Sequence, residues 1–139
     1  VDSSDSKIDS LGTGDFNFAH SQNNVSYYIV VRHRNGLETW SAAGQSFTSS
    51  IMNYDFTDNI SKAYGDNLIL KGSEYCLYSG DINYDTFIDL TDLNMIFNAS
   101  TAFKQGYSLE DINGDDLVDL NDIAPVYNNS SRFVRAVSP

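Results

Sequence analysis

The sequence predicts an α+β protein in two parts, an antiparallel β-sandwich over residues 1–79 and a small helical domain over residues 80–139. Residues 14–78 alternate short apolar runs, rich in aromatic and β-branched side chains, with polar turns, which is typical of a sandwich. After Gly80 a twelve-residue segment occurs twice, 30 residues apart, and each copy precedes a stretch with helical apolar spacing. Hydrophobic residues make up 41% of the chain, enough to form a core.

The predicted strands follow from local composition. Residues 27–31 are a Tyr-Tyr-Ile-Val-Val run that predicts a central strand. Asn35-Gly36 favours a type I′ hairpin turn, because both residues tolerate positive φ, and residues 37–40 are predicted as the returning strand. Shorter strands are predicted at residues 45–48, 53–57, 67–71 and 75–78. We expect an immunoglobulin-like sandwich with one open sheet edge, because residues 1–13 are too polar to complete it.

The repeated segments carry oxygen-bearing side chains at matching positions. Counted from Asp81 and from Asp111, positions 1, 3, 5, 9 and 12 are Asp or Asn in both copies, which is EF-hand spacing. Position 7 of such a loop contributes its backbone carbonyl, and a hard cation such as calcium prefers six to eight oxygen ligands. The predicted metal ligands are Asp81, Asn83, Asp85, Phe87, Asp89 and Asp92 in the first loop, and Asp111, Asn113, Asp115, Leu117, Asp119 and Asp122 in the second.

Asp-rich turns also cap helices or simply face solvent, so the metal hypothesis competes with a plainer interpretation. Two aligned copies argue for the metal, because the four ligand-position carboxylates of each loop repel one another unless a cation lies among them. Magnesium fits less well than calcium, since its small octahedral shell tolerates a carboxylate-crowded cage poorly. We therefore expect two bound calcium ions.

Other loop positions carry structural expectations. Position 8 is apolar, Ile88 or Val118, and is predicted to form a short strand contact that ties the two loops together. Position 6, usually Gly, is Thr86 in the first loop, where a β-branched residue in a left-handed turn costs on the order of 1 kcal/mol. Pro125 predicts that the second helix is kinked or starts late.

The tandem Asp-x-Asn-x-Asp-x-x-x-Asp-x-x-Asp loops, each followed by one helix, resemble a type I dockerin over residues 80 to about 134. Dockerins are calcium-dependent modules of secreted bacterial proteins, so the resemblance implies two calcium ions on the matching positions and an extracellular or cell-surface location. Dockerins that bind cohesins present Ser or Thr at positions 10 and 11 and a basic pair on the next helix. This chain has Leu90-Thr91 and Leu120-Asn121 without a basic pair, so a cohesin-like domain is the less favoured partner.

Composition and motifs limit the remaining functions. A net charge of −11 disfavours nucleic-acid binding, and no apolar run is long enough for a membrane span. We find no nucleophile elbow, no phosphate-binding loop and no Cys-His arrangement, so we expect no enzymatic activity.

The predicted function is a non-catalytic structural module of an extracellular assembly or filament. Its partners are expected to be other protein chains, including copies of itself joined by β-strand addition, with the Val1 segment or residues 134–137 as the donor strand. A dockerin-type attachment module that tethers a secreted enzyme or adhesin is the alternative. A carbohydrate-binding platform of Tyr27, Tyr28 and Trp40 is a third, less favoured one.

Overall fold

Six short strands and two helices form the molecule, and a computed structural model describes all residues, 1–139. The strands are β1 (Ser26–Tyr27), β2 (Val30–Val31), β3 (Thr39–Trp40), β4 (Gln45–Ser46), β5 (Ile69–Lys71) and β6 (Glu74–Cys76). Two 3-10 turns, Ile60–Lys62 and Tyr64–Asp66, precede β5, and the helices are α1 (Leu90–Thr101) and α2 (Leu120–Ser130). The predicted α+β class is confirmed.

The strands pair into three separate antiparallel ladders of two strands each, so a full β-sandwich is not formed. β1 pairs with β4, β2 with β3, and β5 with β6. The predicted strand at residues 27–31 is split, because β1 and β2 turn to different partners, and residues 53–57 form no strand. Stacked sheets need apolar inner faces. None of residues 1–34 is buried, so β1 and β2 offer no such face.

The Asn35-Gly36 turn differs from the prediction. β2 and β3 do pair as a hairpin, with Val30 opposite Trp40, but neither Asn35 nor Gly36 has positive φ, so the type I′ prediction is wrong. The segment instead leaves the hairpin and pairs, around Gly36 and Ser79, with the residues that lead into the first loop. The Leu37 N–H donates to the Tyr78 carbonyl (2.8 Å), and the Gly80 N–H donates to the Asn35 carbonyl (2.7 Å).

The hydrophobic core lies between the two helices and their loops. Its seven buried members are Leu37, Ile82, Ile88, Ile96, Ala99, Val118 and Val126. Six of these belong to the repeats, and Leu37 alone comes from the N-terminal part. Burying one leucine side chain contributes about 1.5–3 kcal/mol, so Leu37 anchors the N-terminal part on the repeats.

Both helices begin at the same place in their repeats. Each starts directly after a capping box, in which Asp89 or Asp119 is the N-cap and the carboxylate three residues later accepts the N-cap N–H. Pro125 lies inside α2, but α2 starts at the position that matches α1, so of the two predicted alternatives, a kink or a late start, the late start is wrong. Neither helix has the length and apolar character needed to cross a membrane.

Candidate functional site

The position 1 carboxylates are buried and hold their loops from inside. Asp81 accepts the N–H groups of Asp85 and Thr86, both at 3.1 Å. Asp111 accepts the equivalent pair, Asp115 and Asp116, each at 3.2 Å. It also accepts a third, from Gly114 (2.8 Å). Each loop therefore turns around its first predicted ligand.

The position 12 carboxylates are the most deeply buried side chains of the loops. Asp92 and Asp122 are fully buried, and each accepts three backbone N–H groups of its own loop. The donors are Ile82, Asn83 and Asp89 for the first, and Ile112, Asn113 and Asp119 for the second. Position 12 thus ties the start of each loop to the start of its helix.

Positions 3, 5 and 9 form the rim of each loop. The Asn83 amide donates to Asp85 (2.8 Å), and the Asn113 amide donates to Asp115 (3.0 Å). Asp89 accepts the Thr91 N–H (2.6 Å) and thereby caps α1. Its counterpart in the second loop caps α2 in the same way (2.7 Å). Position 9 therefore has a helix-capping role, as the plainer interpretation of these turns predicts.

Position 7 of the first loop, Phe87, lies opposite Arg135 in a short antiparallel ladder, and its carbonyl points away from that ladder. The Ile88 N–H donates to the Val134 carbonyl and the Ala136 N–H to the Thr86 carbonyl, at 2.9 and 2.8 Å. Because backbone groups alternate along a strand, the groups of Phe87 point the other way, and its N–H donates to Asp85 inside the loop. The Phe87 carbonyl accepts no hydrogen bond.

The second loop repeats this arrangement with a different partner segment. The Val118 N–H donates to the Lys104 carbonyl, and the Gly106 N–H to the Asp116 carbonyl, at 3.0 and 2.8 Å. The Leu117 carbonyl also accepts no hydrogen bond.

The predicted contact between the two position 8 residues is therefore wrong, because each pairs with the segment that follows the other repeat's helix. The C-terminal segment is correspondingly engaged within its own chain. Val134 and Ala136 pair with the first loop, and the Arg135 carbonyl accepts the Asn67 amide (3.1 Å). Residues 134–137 are thus unsuited to act as a donor strand for a neighbour.

Burial affects the charge of the first loop directly. It raises the pKa of Asp81 from 3.8 to about 6, against the opposing effect of the Thr86 N–H, and the negative charges of Asp92 and Asp85 raise it further. Four Asp carboxylates, two in each loop, are almost completely buried, and only Asp111 has a basic side chain within 4.0 Å. A cation is the group that would balance this charge.

The donor set fits a hard cation in its chemistry. Every predicted side-chain ligand carries a carboxylate or amide oxygen, and two unpaired carbonyls complete the set. No three His, Cys, Asp or Glu side chains converge in the geometry of a metal site. The inner carboxylate oxygens are instead directed at backbone N–H groups. A bound calcium ion would supply the positive charge that balances these buried carboxylates.

The first loop contains two left-handed residues, of which the sequence predicted one, Thr86. Thr86 has φ 74°, as position 6 requires, and Asp116 matches it at 67°. Position 4 is left-handed as well, with Tyr84 at 60° and Gly114 at 79°. The first loop therefore holds two side-chain-bearing residues in a region that favours glycine, and the second holds one.

The sequence does not specify which contacts join the N-terminal part to the loops. The buried Asn35 amide donates to the Asp111 carbonyl (2.9 Å), and the Tyr84 hydroxyl donates to the Arg34 carbonyl (2.6 Å). The Arg34 guanidinium lies 4.0 Å from a carboxylate oxygen of Asp111. The signal in the sequence is the basic run Arg32-His33-Arg34, which could anchor the acidic repeat or simply face solvent, and its charge alone does not specify which residues it contacts.

The aromatic residues of the carbohydrate alternative are partly separated. Tyr28 and Trp40 meet edge to face, with ring centres 6.2 Å apart, and the Trp40 indole donates to Glu38 (2.6 Å). Tyr27 packs instead against Phe47. The three rings do not form one stacking surface.

Comparisons with protein-family models, with curated proteins and with solved structures gave no match to this chain.

Proposed function

We propose that this chain is a non-catalytic, calcium-binding structural module of a secreted protein and a building block of an extracellular assembly or filament. The observation that carries the proposal is the pair of loops whose matching predicted ligands make the same hydrogen bonds. Such agreement across 30 residues supports one shared role for both loops rather than two unrelated turns.

The architecture around the loops supports a dockerin-like pair. Each repeat is a loop followed by one helix, and each loop is closed by the segment that follows the other repeat's helix. This reciprocal closure makes the two repeats one unit. Calcium in such a unit acts mainly as a folding ligand, stabilising the repeats by mass action at extracellular concentrations.

Open strand edges support assembly with other chains. Each ladder contains two strands, so every strand has one edge without a partner strand in the same ladder. Val30 of β2 and Leu70 of β5 are exposed beside such edges. The Val1 segment remains the candidate donor, since residues 134–137 are paired within the chain.

The test is size-exclusion chromatography and negative-stain microscopy of the full chain in calcium and in chelator. We expect calcium-dependent oligomers or filaments that Val30→Lys abolishes, because a charge beside the β2 edge opposes strand addition. Leu90→Lys, on the exposed face of α1, is the matched control and leaves them intact. A monomer at high concentration in calcium contradicts the assembly proposal.

A second candidate is an attachment module, and one observation favours it. Leu90 and Phe97 on α1, and Leu120 and Tyr127 on α2, are exposed apolar residues at matching positions. A groove of about 310 Å³ runs between the helices. Titration with a purified cohesin-like domain in calcium tests this candidate. Binding lost in Leu90→Lys supports it, and no binding by the calcium-loaded wild type contradicts it.

A further inference from the structure

The Arg34 side chain is a cation held against the second loop. Its guanidinium donates to the Ser108 carbonyl and stacks over the Tyr107 ring, 4.2 Å from the ring centre. One guanidinium nitrogen lies 4.0 Å from Oδ2 of Asp111. The side chain is only 16% exposed, so solvent screens this charge less than it screens a surface arginine.

Neighbouring contacts hold Arg34 in place. The next residue, Asn35, is buried and donates to the Asp111 carbonyl, and the Arg34 carbonyl accepts the Tyr84 hydroxyl of the first loop. The backbone of this segment is thus attached to both loops. The guanidinium is therefore held beside Asp111 by contacts that involve none of the predicted ligand side chains.

No other basic side chain is placed in this way. Arg32, Lys62 and Lys104 pair with acidic residues outside the predicted ligand set. Arg34 alone forms an ion pair with a predicted ligand, and that ligand belongs to the second loop. The two loops therefore share one ligand pattern but differ by one fixed positive charge.

We propose that Arg34 is a positioning residue that holds the Asp111 carboxylate in the metal-free protein and lowers the affinity of the second loop for calcium. The inference rests on the proposed calcium-binding function. A guanidinium and a divalent cation that share one carboxylate repel each other. Coulomb's law in water, for charges about 6 Å apart, corresponds to roughly a tenfold loss of affinity, and salt reduces this to a few fold.

The experiment is a calcium titration of the ¹⁵N-labelled full chain followed by NMR. The amides of Thr86 and Asp116 report on the two loops separately, because each donates to the position 1 carboxylate of its own loop. In Arg34→Gln we expect the Asp116 midpoint to move to about threefold to tenfold lower calcium, while the Thr86 midpoint changes less than twofold. Arg34→Lys keeps the charge and is expected to stay near wild type.

Arg32→Gln is the matched control, since Arg32 is an exposed arginine two residues away that pairs with Glu38, and neither midpoint should change. If Arg34→Gln does not give a folded spectrum, Arg34→Met is used in its place, because it removes the charge and keeps an apolar stem that packs on Tyr107. The wild type gives an independent result, because the Arg34 Nε–H resonance should shift with the Asp116 midpoint.

An unchanged or higher Asp116 midpoint in the neutral variant, or an Arg34 resonance that ignores calcium, overturns this proposal alone. If neither loop amide of the wild type responds to calcium, the proposed function itself fails.

Discussion

The two loops have the same ligand pattern, but the surrounding chain holds them differently. Asp111 accepts three loop N–H groups and lies beside Arg34, whereas Asp81 accepts two and has no basic side chain within 4.0 Å. The second loop also has glycine at position 4, where the first has Tyr84 in a left-handed conformation. The repeated residues thus set the hydrogen bonds, and the non-repeated neighbours set how well each loop tolerates its buried charge.

The position before each loop differs as well. Gly80 is buried at φ 120°, and a Cβ there would lie 2.8 Å from a methyl carbon of Val126. Its counterpart, Glu110, bears a side chain that pairs with Lys104 (2.7 Å). The first loop is therefore packed against the core at its entry, and the second is held there by a surface ion pair.

Removing the position 12 carboxylates should have the largest effect and should treat both loops alike. Asp92→Ala and Asp122→Ala each leave three N–H groups without an acceptor and remove a ligand. We expect each to lower the free energy of unfolding by about 3 kcal/mol or more in saturating calcium. Urea denaturation measures this, with the exposed Asp15→Ala as control. If either variant lowered the free energy of unfolding by less than about 1 kcal/mol, the position 12 carboxylates would not have the same role in the two loops.

Changing the residue before each loop should lower the free energy of unfolding by different amounts in the two loops. Gly80→Ala forces a side chain into a left-handed, tightly packed position and should cost about 2–4 kcal/mol. Glu110→Ala removes only an ion pair whose lysine is exposed and should cost less than about 1 kcal/mol. Equal losses in urea denaturation would show that the loops do not differ in how they meet the core.

Relieving the left-handed residue at position 6 should stabilise the first loop more than the second. Thr86→Gly is expected to add about 1 kcal/mol, because a β-branched residue tolerates φ 74° poorly. Asp116→Gly should add about 0.5 kcal/mol or less, since Asp tolerates this region better. Thermal melts of the two variants in the same buffer give the comparison, and a larger gain for Asp116→Gly contradicts it.

The metal-free chain should also depend on pH, through Asp81 of the first loop. The pKa of Asp81 is raised by burial to about 6 in the folded state, above 3.8 in the unfolded chain, so folding favours proton binding between these values. Stability contributed by this group is present below pH 4 and is lost as pH rises through 6. Urea denaturation in chelator, wild type against Asp81→Asn, isolates it. In Asp81→Asn the free energy of unfolding should change less with pH between about 4 and 6 than in the wild type. The same pH dependence in both would show that Asp81 is not its source.

The repeat was predictable because its information is local. Oxygen side chains at fixed spacing, with an apolar helical stretch after them, define the loops and the helices without reference to the rest of the chain, and a helix does follow each loop. The reciprocal closure of the loops was also present in the repeat, since Lys104 and Val134 occupy matching places after the two helices. It was not recognised, because paired EF-hand loops normally contact each other.

The N-terminal part was less predictable because distant contacts decide its structure. Asn35-Gly36 reads locally as a tight turn, yet the Asn35 amide bonds to Asp111, 76 residues away. Leu37 reads as a strand residue of a sandwich, yet it completes the core of the repeats. Local composition places several strands correctly but does not specify which partners they choose.

The central claim, that the two loops are cation cages with buried carboxylates, is tested most directly by thermal melts of the full chain in 1 mM calcium and in chelator. With a dissociation constant of ~1 µM, mass action adds roughly 4 kcal/mol per loop. We therefore expect the melting temperature to be at least ~10 °C higher in calcium. The shift should be smaller in magnesium and about half as large in Asp92→Ala or Asp122→Ala. The same melting temperature in calcium and in chelator would contradict the account.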